Sequence, residues 1–200
     1  IEVVPVEELE TGFRKDLEFR CASANNATRA GWYLQQFNKL ESLFRSTSEV
    51  TIIWDADCVP VSEITIQDST GMISYMRGKE FHAPYFDLID RVLSTPRVVD
   101  FSFVVPGFPI RRKWVEDLRL ELESRNGEEW HQLLLNSIDF SLPSGFSETE
   151  FLGTWVSTRY PDSFSSYSSR WERLGRTRFG PVNEFSLKEL EAIGKLAGLE

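Results

Sequence analysis

The sequence predicts an α/β domain with a mixed sheet and flanking helices. Three observations carry that expectation. Short apolar β-branched runs, at residues 50–54 and 98–105, alternate with longer segments of helical periodicity. The chain has 200 residues, 41% of them hydrophobic and 26% charged, which is enough to bury one core and too apolar for a disordered chain. No internal repeat and no long linker divides it, so a single domain over residues 1–200 is expected.

Each element follows from its residues. Ile1-Glu2-Val3-Val4-Pro5-Val6 reads as the end of a strand, which makes the chain a candidate piece of something longer. Residues 7–27 are polar, hold Gly12 and the pair Asn25 and Asn26, and read as a loop with a short helical turn. Residues 28–45 form the first clear helix, with Tyr33, Phe37, Leu40 and Phe44 on one face and Thr28 as its cap. Val50-Thr51-Ile52-Ile53-Trp54 has the composition of a central strand buried on both faces. Residues 64–76 read as a hairpin turning at Asp68-Ser69-Thr70-Gly71.

Pro84 opens a helix to about Leu93, with Tyr85, Leu88, Ile89 and Val92 facing inward. Residues 98–105 read as a strand and Pro106-Gly107-Phe108-Pro109 as a turn. Helices are expected over 110–125, where Ile110, Trp114, Leu118 and Leu122 recur every fourth residue, and over 128–138. Ser147 and Glu150 make a capping box with a Phe146–Phe151 staple, and Ser186 with Glu189 makes a second one before the last helix. Residues 159–180 read as irregular, rich in serine, aromatics and arginine.

Composition excludes several classes. With 31 acidic against 22 basic residues the net charge is −9, which argues against sequence-independent binding to nucleic acid. No apolar run reaches the roughly 18 residues of a spanning helix. The two cysteines, Cys21 and Cys58, make neither a disulfide framework nor a zinc cluster, so a reducing cytoplasm is the expected compartment.

The sharpest chemical feature is Asp55-Ala56-Asp57, directly after the apolar strand. Ligands of open α/β sheets sit beyond the carboxyl ends of strands. Two carboxylates there can converge on a hard divalent cation, Mg²⁺ or Mn²⁺. The same residues suit a loop whose aspartates accept from backbone amides, and position alone leaves both readings open. On the helix before the strand, Trp32, Gln36, Lys39 and Leu43 share one stripe, with Gln35 beside it.

Gly31-Trp32-Tyr33-Leu34-Gln35-Gln36-Phe37-Asn38-Lys39-Leu40 followed by Trp54-Asp55-Ala56-Asp57 resembles the DUF6492 family of bacterial glycosyltransferase-like proteins, itself similar to the GT-A nucleotide-sugar transferases. The resemblance continues at Phe81-His82-Ala83-Pro84-Tyr85-Phe86, at Phe101-Ser102-Phe103-Val104, at Trp130 and at Ser147-Glu148-Thr149-Glu150-Phe151, in order over about residues 28–160. It implies a GT-A-like fold whose nucleotide-binding front is shortened, since only 49 residues precede Val50. It implies that Asp55 and Asp57 hold Mn²⁺ or Mg²⁺ on a nucleotide-sugar donor. Trp32, Gln35, Gln36 and Lys39 would contact that donor. Glu148 and Glu150 are the catalytic carboxylate candidates, with Glu148 preferred because Glu150 also suits the capping box. His82 is an acceptor or auxiliary candidate. Trp32, Trp54, Trp155 and Trp171 are candidates for stacking on a sugar, and the arginines from 170 to 178 for a diphosphate.

The implied activity moves a sugar to a glycan or lipid-linked hydroxyl, in the cytoplasm or peripherally at the inner membrane face. The chain departs from the family pattern at Val105-Pro106-Gly107-Phe108, where histidines are usual. A transferase fold kept only for binding is therefore the second reading. The third comes from Ile52-Ile53-Trp54-Asp55-Ala56-Asp57, which also resembles the first motif of haloacid-dehalogenase-type phosphohydrolases.

Overall fold

In the computed structural model, which describes residues 5–10, 12–168, 171–172 and 175–197, the chain opens with helices. The strand expected at residues 1–6 lies mostly outside the described residues, and Val6 already belongs to a short helix α1, Val6–Leu9. Residues 7–27 are not a loop. They hold α2, Arg14–Ser23, and a 3-10 turn, Ala27–Arg29. Phe13, Leu17 and Cys21, four residues apart, are buried in the core, and that narrow stripe is enough to fold the segment against its neighbour. Asn26 fixes the turn by donating its amide to the carbonyls of Phe140 and Leu142, both at 2.9 Å.

Helix α3, Ala30–Arg45, buries Tyr33, Phe37 and Leu40 as its periodicity requires. Its N-cap is Arg29 and it has no side-chain cap, so Thr28 is not the capping residue. Strand β1, Val50–Trp54, follows. It is not buried on both faces. Only Ile53 is fully covered, and Ile52 is 40% exposed. The cause is its place in the sheet. β1 pairs on one side only among the described residues, antiparallel with β3.

The expected hairpin at 64–76 forms only in part. The turn at Asp68–Gly71 is present, with Gly71 at φ +82° and Asp68 accepting from the Thr70 and Met72 amides. Only the second arm is a strand, β2, Ile73–Met76, and residue 67 meets it through a single bridge. Helix α4, Ala83–Leu93, matches expectation, with Tyr85, Leu88, Ile89 and Val92 buried.

Residues 98–105 do not form a strand. Phe101, Ser102, Phe103 and Val105 are buried there, but the segment crosses the core with one bridge, Ser102 to Gly78. The strand comes later, as β3, Gly107–Arg111, over the residues expected to turn. Gly107 is what lets Trp54 lie against this backbone, because a Cβ there would overlap the indole ring. Pro109 stands opposite Ile52 in the ladder, a position tolerated because the sheet is two-stranded. Ile110 thus belongs to β3, and helix α5, Arg112–Asn126, begins after it.

Helix α6, Trp130–Ser137, buries Trp130, Leu133 and Leu134. Helix α7, Glu148–Arg159, starts at the Ser147 cap, whose hydroxyl accepts from the Glu150 amide, while Phe146 and Phe151 pack with ring centroids 5.7 Å apart. Strand β4, Phe164–Tyr167, lies in the segment expected to be irregular and pairs parallel with β2. The two ladders abut where Tyr75 of β2 stacks on Phe108 of β3, at 4.8 Å between centroids. Helices α8, Gly175–Phe179, and α9, Leu187–Ala197, close the described chain. The Ser186–Glu189 box is complete, with the Ser186 amide donating to the Glu189 carboxylate at 2.8 Å and the Glu189 amide to the Ser186 hydroxyl. The architecture is mixed α/β with small sheets among many helices.

Candidate metal and diphosphate cleft

The ladder of β1 and β3 ends where the Asp55 amide donates to the Pro106 carbonyl at 2.9 Å. The chain then turns tightly, with the Cys58 amide donating to the Asp55 carbonyl at 2.9 Å and the Trp54 indole N–H to the Cys58 carbonyl at 2.8 Å. This turn draws one carboxylate oxygen each from Asp55 and Asp57, and the Cys58 sulfur, within 4.8 Å of one another. Asp57 is exposed, and the other two are half-buried.

The donor set favours a hard cation. Burial, together with the Asp57 and Asp55 charges, pushes the Cys58 thiol up to about 11, so it stays a thiol at neutral pH. The two carboxylates are anionic oxygen donors, a ligand type that hard divalent cations take. A cation already stands beside them, since the Lys39 ammonium lies 2.5 Å from Asp55 Oδ1.

Lys39 is held from its other side by Glu148 Oε1 at 2.7 Å. The stripe on α3 explains this. Gln36 and Lys39 lie one turn apart and face the start of α7, where Gln36 Oε1 accepts from the Glu148 amide at 3.3 Å. Burial alone works against the ammonium, but Glu148 and Asp55 outweigh it and hold the Lys39 pKa above its ordinary value. Burial pushes the Glu148 carboxyl up, with the Lys39 ammonium opposing.

Asp55, Asp57, Lys39, Gln35, Gln36, Trp32 and Glu148 all line one cleft of about 1040 Å³. Seven of the nine site residues expected from the sequence are therefore brought together. The other two are not among its lining residues. Glu150 points into the protein. Its Oε2 accepts from Ser102 Oγ at 2.5 Å and from the Phe103 amide at 3.1 Å. It does not return to the Ser147 amide, so that capping box is only half formed. Its Oε1 is buried with no hydrogen-bond partner among the described residues. His82 binds the Ser144 carbonyl through Nε2 at 2.7 Å and packs on Tyr85.

Trp32 presents only part of its surface, because the Arg29 guanidinium sits 4.5 Å over its ring and Tyr33 packs on its edge. Trp155 is buried at 1% exposure, donates to Glu121 and serves packing. Of the arginine group, Arg176 lines the cleft, Arg159 and Arg178 pair with Glu121 and Glu172, and Arg170 and Arg173 lie outside the described residues.

Some cleft residues gave no functional signal in the sequence. Tyr85 shows the periodicity of a core residue, yet its hydroxyl meets the Ser144 hydroxyl at the cleft wall. A tyrosine on an otherwise aliphatic stripe is the hint that one end is wet. The C-terminal segment also lines the cleft, through Phe179 and Ile193 beside the expected candidates Trp171 and Arg176. Gly194 of α9 seats that segment on the loop after Asp57, since a Cβ there would lie 2.9 Å from Val61 Cγ2. Comparison with family models, with curated proteins and with solved structures finds no match to this chain.

Proposed function

We propose that the cleft takes the diphosphate of a nucleotide-sugar donor at a divalent cation on Asp55 and Asp57, and that the chain transfers the sugar to a glycan or lipid-linked hydroxyl. The observation that carries this reading is the convergence of both carboxylates with Lys39 at one end of a cleft of about 1040 Å³. Such a volume suits a ligand of nucleotide size. Mn²⁺ or Mg²⁺ held there would neutralise charge on the departing diphosphate as a Lewis acid.

The chain's own residues do the rest. Lys39 offers a point charge to a phosphate oxygen at the same end. Gln35, exposed on the rim, has an amide free to reach sugar or phosphate oxygens. Gln36 accepts from the Glu148 amide and the Glu148 carboxylate holds Lys39, so Glu148 serves the site through the lysine. Tyr85 and Ser144 supply hydroxyls on the cleft wall that an acceptor could meet.

The second reading, a transferase fold kept for binding without catalysis, is favoured by one observation. The described residues before β1 contain helices and no strand, so the strand-helix unit that would hold base and ribose is not among them. A phosphohydrolase of the haloacid-dehalogenase type gains no support. It needs later strands ending in serine or threonine and in an acidic pair, whereas β2, β3 and β4 end in Met76, Arg111 and Tyr167.

Calorimetric titration of UDP, GDP and CDP, with and without Mn²⁺, tests the proposal on the wild type and on Asp57→Ala. The expected result is binding of at least one nucleotide that requires Mn²⁺ and disappears in the variant. Nucleotide binding indifferent to both the metal and Asp57 would contradict it.

A further inference from the structure

We propose that Lys39 is a built-in counter-ion for the cation site: it holds Asp55 while no divalent cation is present, and a cation must displace it to bind. The inference rests on the reading of Asp55 and Asp57 as cation ligands. It adds a role for a residue that neither composition nor motif assigns.

The geometry is asymmetric. On one side the ammonium has a fixed partner. Glu148 has a side chain only 3% exposed, stands in the first turn of a long helix, and has its amide bound by Gln36. On the other side the partner is exchangeable. Asp55 is 37% exposed at its side chain and sits in a solvent-facing turn. An ammonium has three N–H donors, and the two carboxylates engage two of them. Lys39 can therefore give up Asp55 and keep Glu148, whereas leaving Glu148 would strand a buried charge.

Two consequences follow from charge alone. A divalent cation approaching Asp55 meets a monovalent cation already bound there, and the repulsion at a few ångströms is large even in a water-like medium. The cation by itself is therefore held weakly. Once it sits on the aspartates, the ammonium remains on Glu148 and turns its freed donor to the cleft. An arriving diphosphate then meets two cations. Cation and diphosphate strengthen each other's binding, and that coupling is reciprocal.

The test measures binding of Mn²⁺ alone, read from the paramagnetic resonance of the free ion, on the full chain. The variants are Lys39→Met, Lys39→Met with Glu148→Gln, and Asp57→Asn. The double variant removes both members of the buried pair, so the test survives if the single one fails to fold. The expected result is that Mn²⁺ binds the lysine variants on the order of tenfold or more tightly than the wild type, and Asp57→Asn more weakly. Lysine variants that bind Mn²⁺ no more tightly than the wild type overturn the inference. The two claims fail separately. Tighter Mn²⁺ binding without any binding of UDP, GDP or CDP leaves the counter-ion standing and removes the transferase reading. Metal-dependent nucleotide binding with no gain in the lysine variants does the reverse.

Discussion

Two glutamates two residues apart, Glu148 and Glu150, show how much position on a helix decides. Both are buried at the start of α7, but Glu148 faces the cleft and Lys39, whereas Glu150 turns to Ser102 and the Phe103 amide. The sequence places both in the same motif and prefers Glu148 only because Glu150 suits the capping box; it does not show the partners of either, which lie more than forty positions away. Glu150 is best understood as the acceptor that ties the core crossing at Ser102 and Phe103 to α7. Glu150→Ala is expected to cost about 1–3 kcal/mol, since it leaves a buried hydroxyl and a buried amide unpaired. Glu150→Gln keeps an acceptor and should cost less. Burial raises the Glu150 carboxyl above its ordinary value, against the bonds from Ser102 and Phe103. A raised folded-state pKa means that the folded protein binds the extra proton. The associated stability is full below the unfolded carboxyl value and is lost as pH rises through the folded one. Denaturant unfolding across that range should show the wild type losing stability relative to Glu150→Gln as pH rises. A difference independent of pH would contradict this account of Glu150.

At the scale of elements, strong periodicity was legible and short pairings were not. α3 and α4 declare themselves through apolar faces, α7 through its capping serine and the Phe146–Phe151 staple, and β1 through its β-branched run. α2 escapes because only Phe13, Leu17 and Cys21 mark it within a polar segment. β3 escapes because glycine and two prolines disguise a strand that must lie flat against Trp54. The apolar run before it reads as a strand because buried crossings and buried strands share a composition. If α2 is a true part of the core, Leu17→Ala should cost about 2–5 kcal/mol, the range for a buried leucine. A chemical-denaturation midpoint unchanged by that substitution would mean that α2 is a surface addition.

Across the whole molecule, the cleft is assembled from separated pieces, among them the stripe of α3, the turn after β1, Tyr85 of α4, Ser144, the start of α7 and the C-terminal segment. The stripe, the turn, the start of α7 and, through Trp171 and Arg176, the C-terminal segment carry residues that the sequence singled out, and their convergence is what the sequence could not show. It gave no sign that Gln36 and Lys39 would clasp Glu148, since that contact bridges more than a hundred residues. Within the C-terminal segment, residues 159–180 read as irregular because their aromatic and arginine residues lack a period, whereas the helix after Ser186 is expected from its capping box. Among the described residues no helix is long and apolar enough to cross a membrane. The central claim is the place of the cation. The most direct measurement is anomalous diffraction from crystals soaked with Mn²⁺ and pyrophosphate. The account predicts a manganese peak about 2.1 Å from carboxylate oxygens of both Asp55 and Asp57, with the diphosphate beside it in the cleft. A peak at other carboxylates, with this turn left empty, would contradict it.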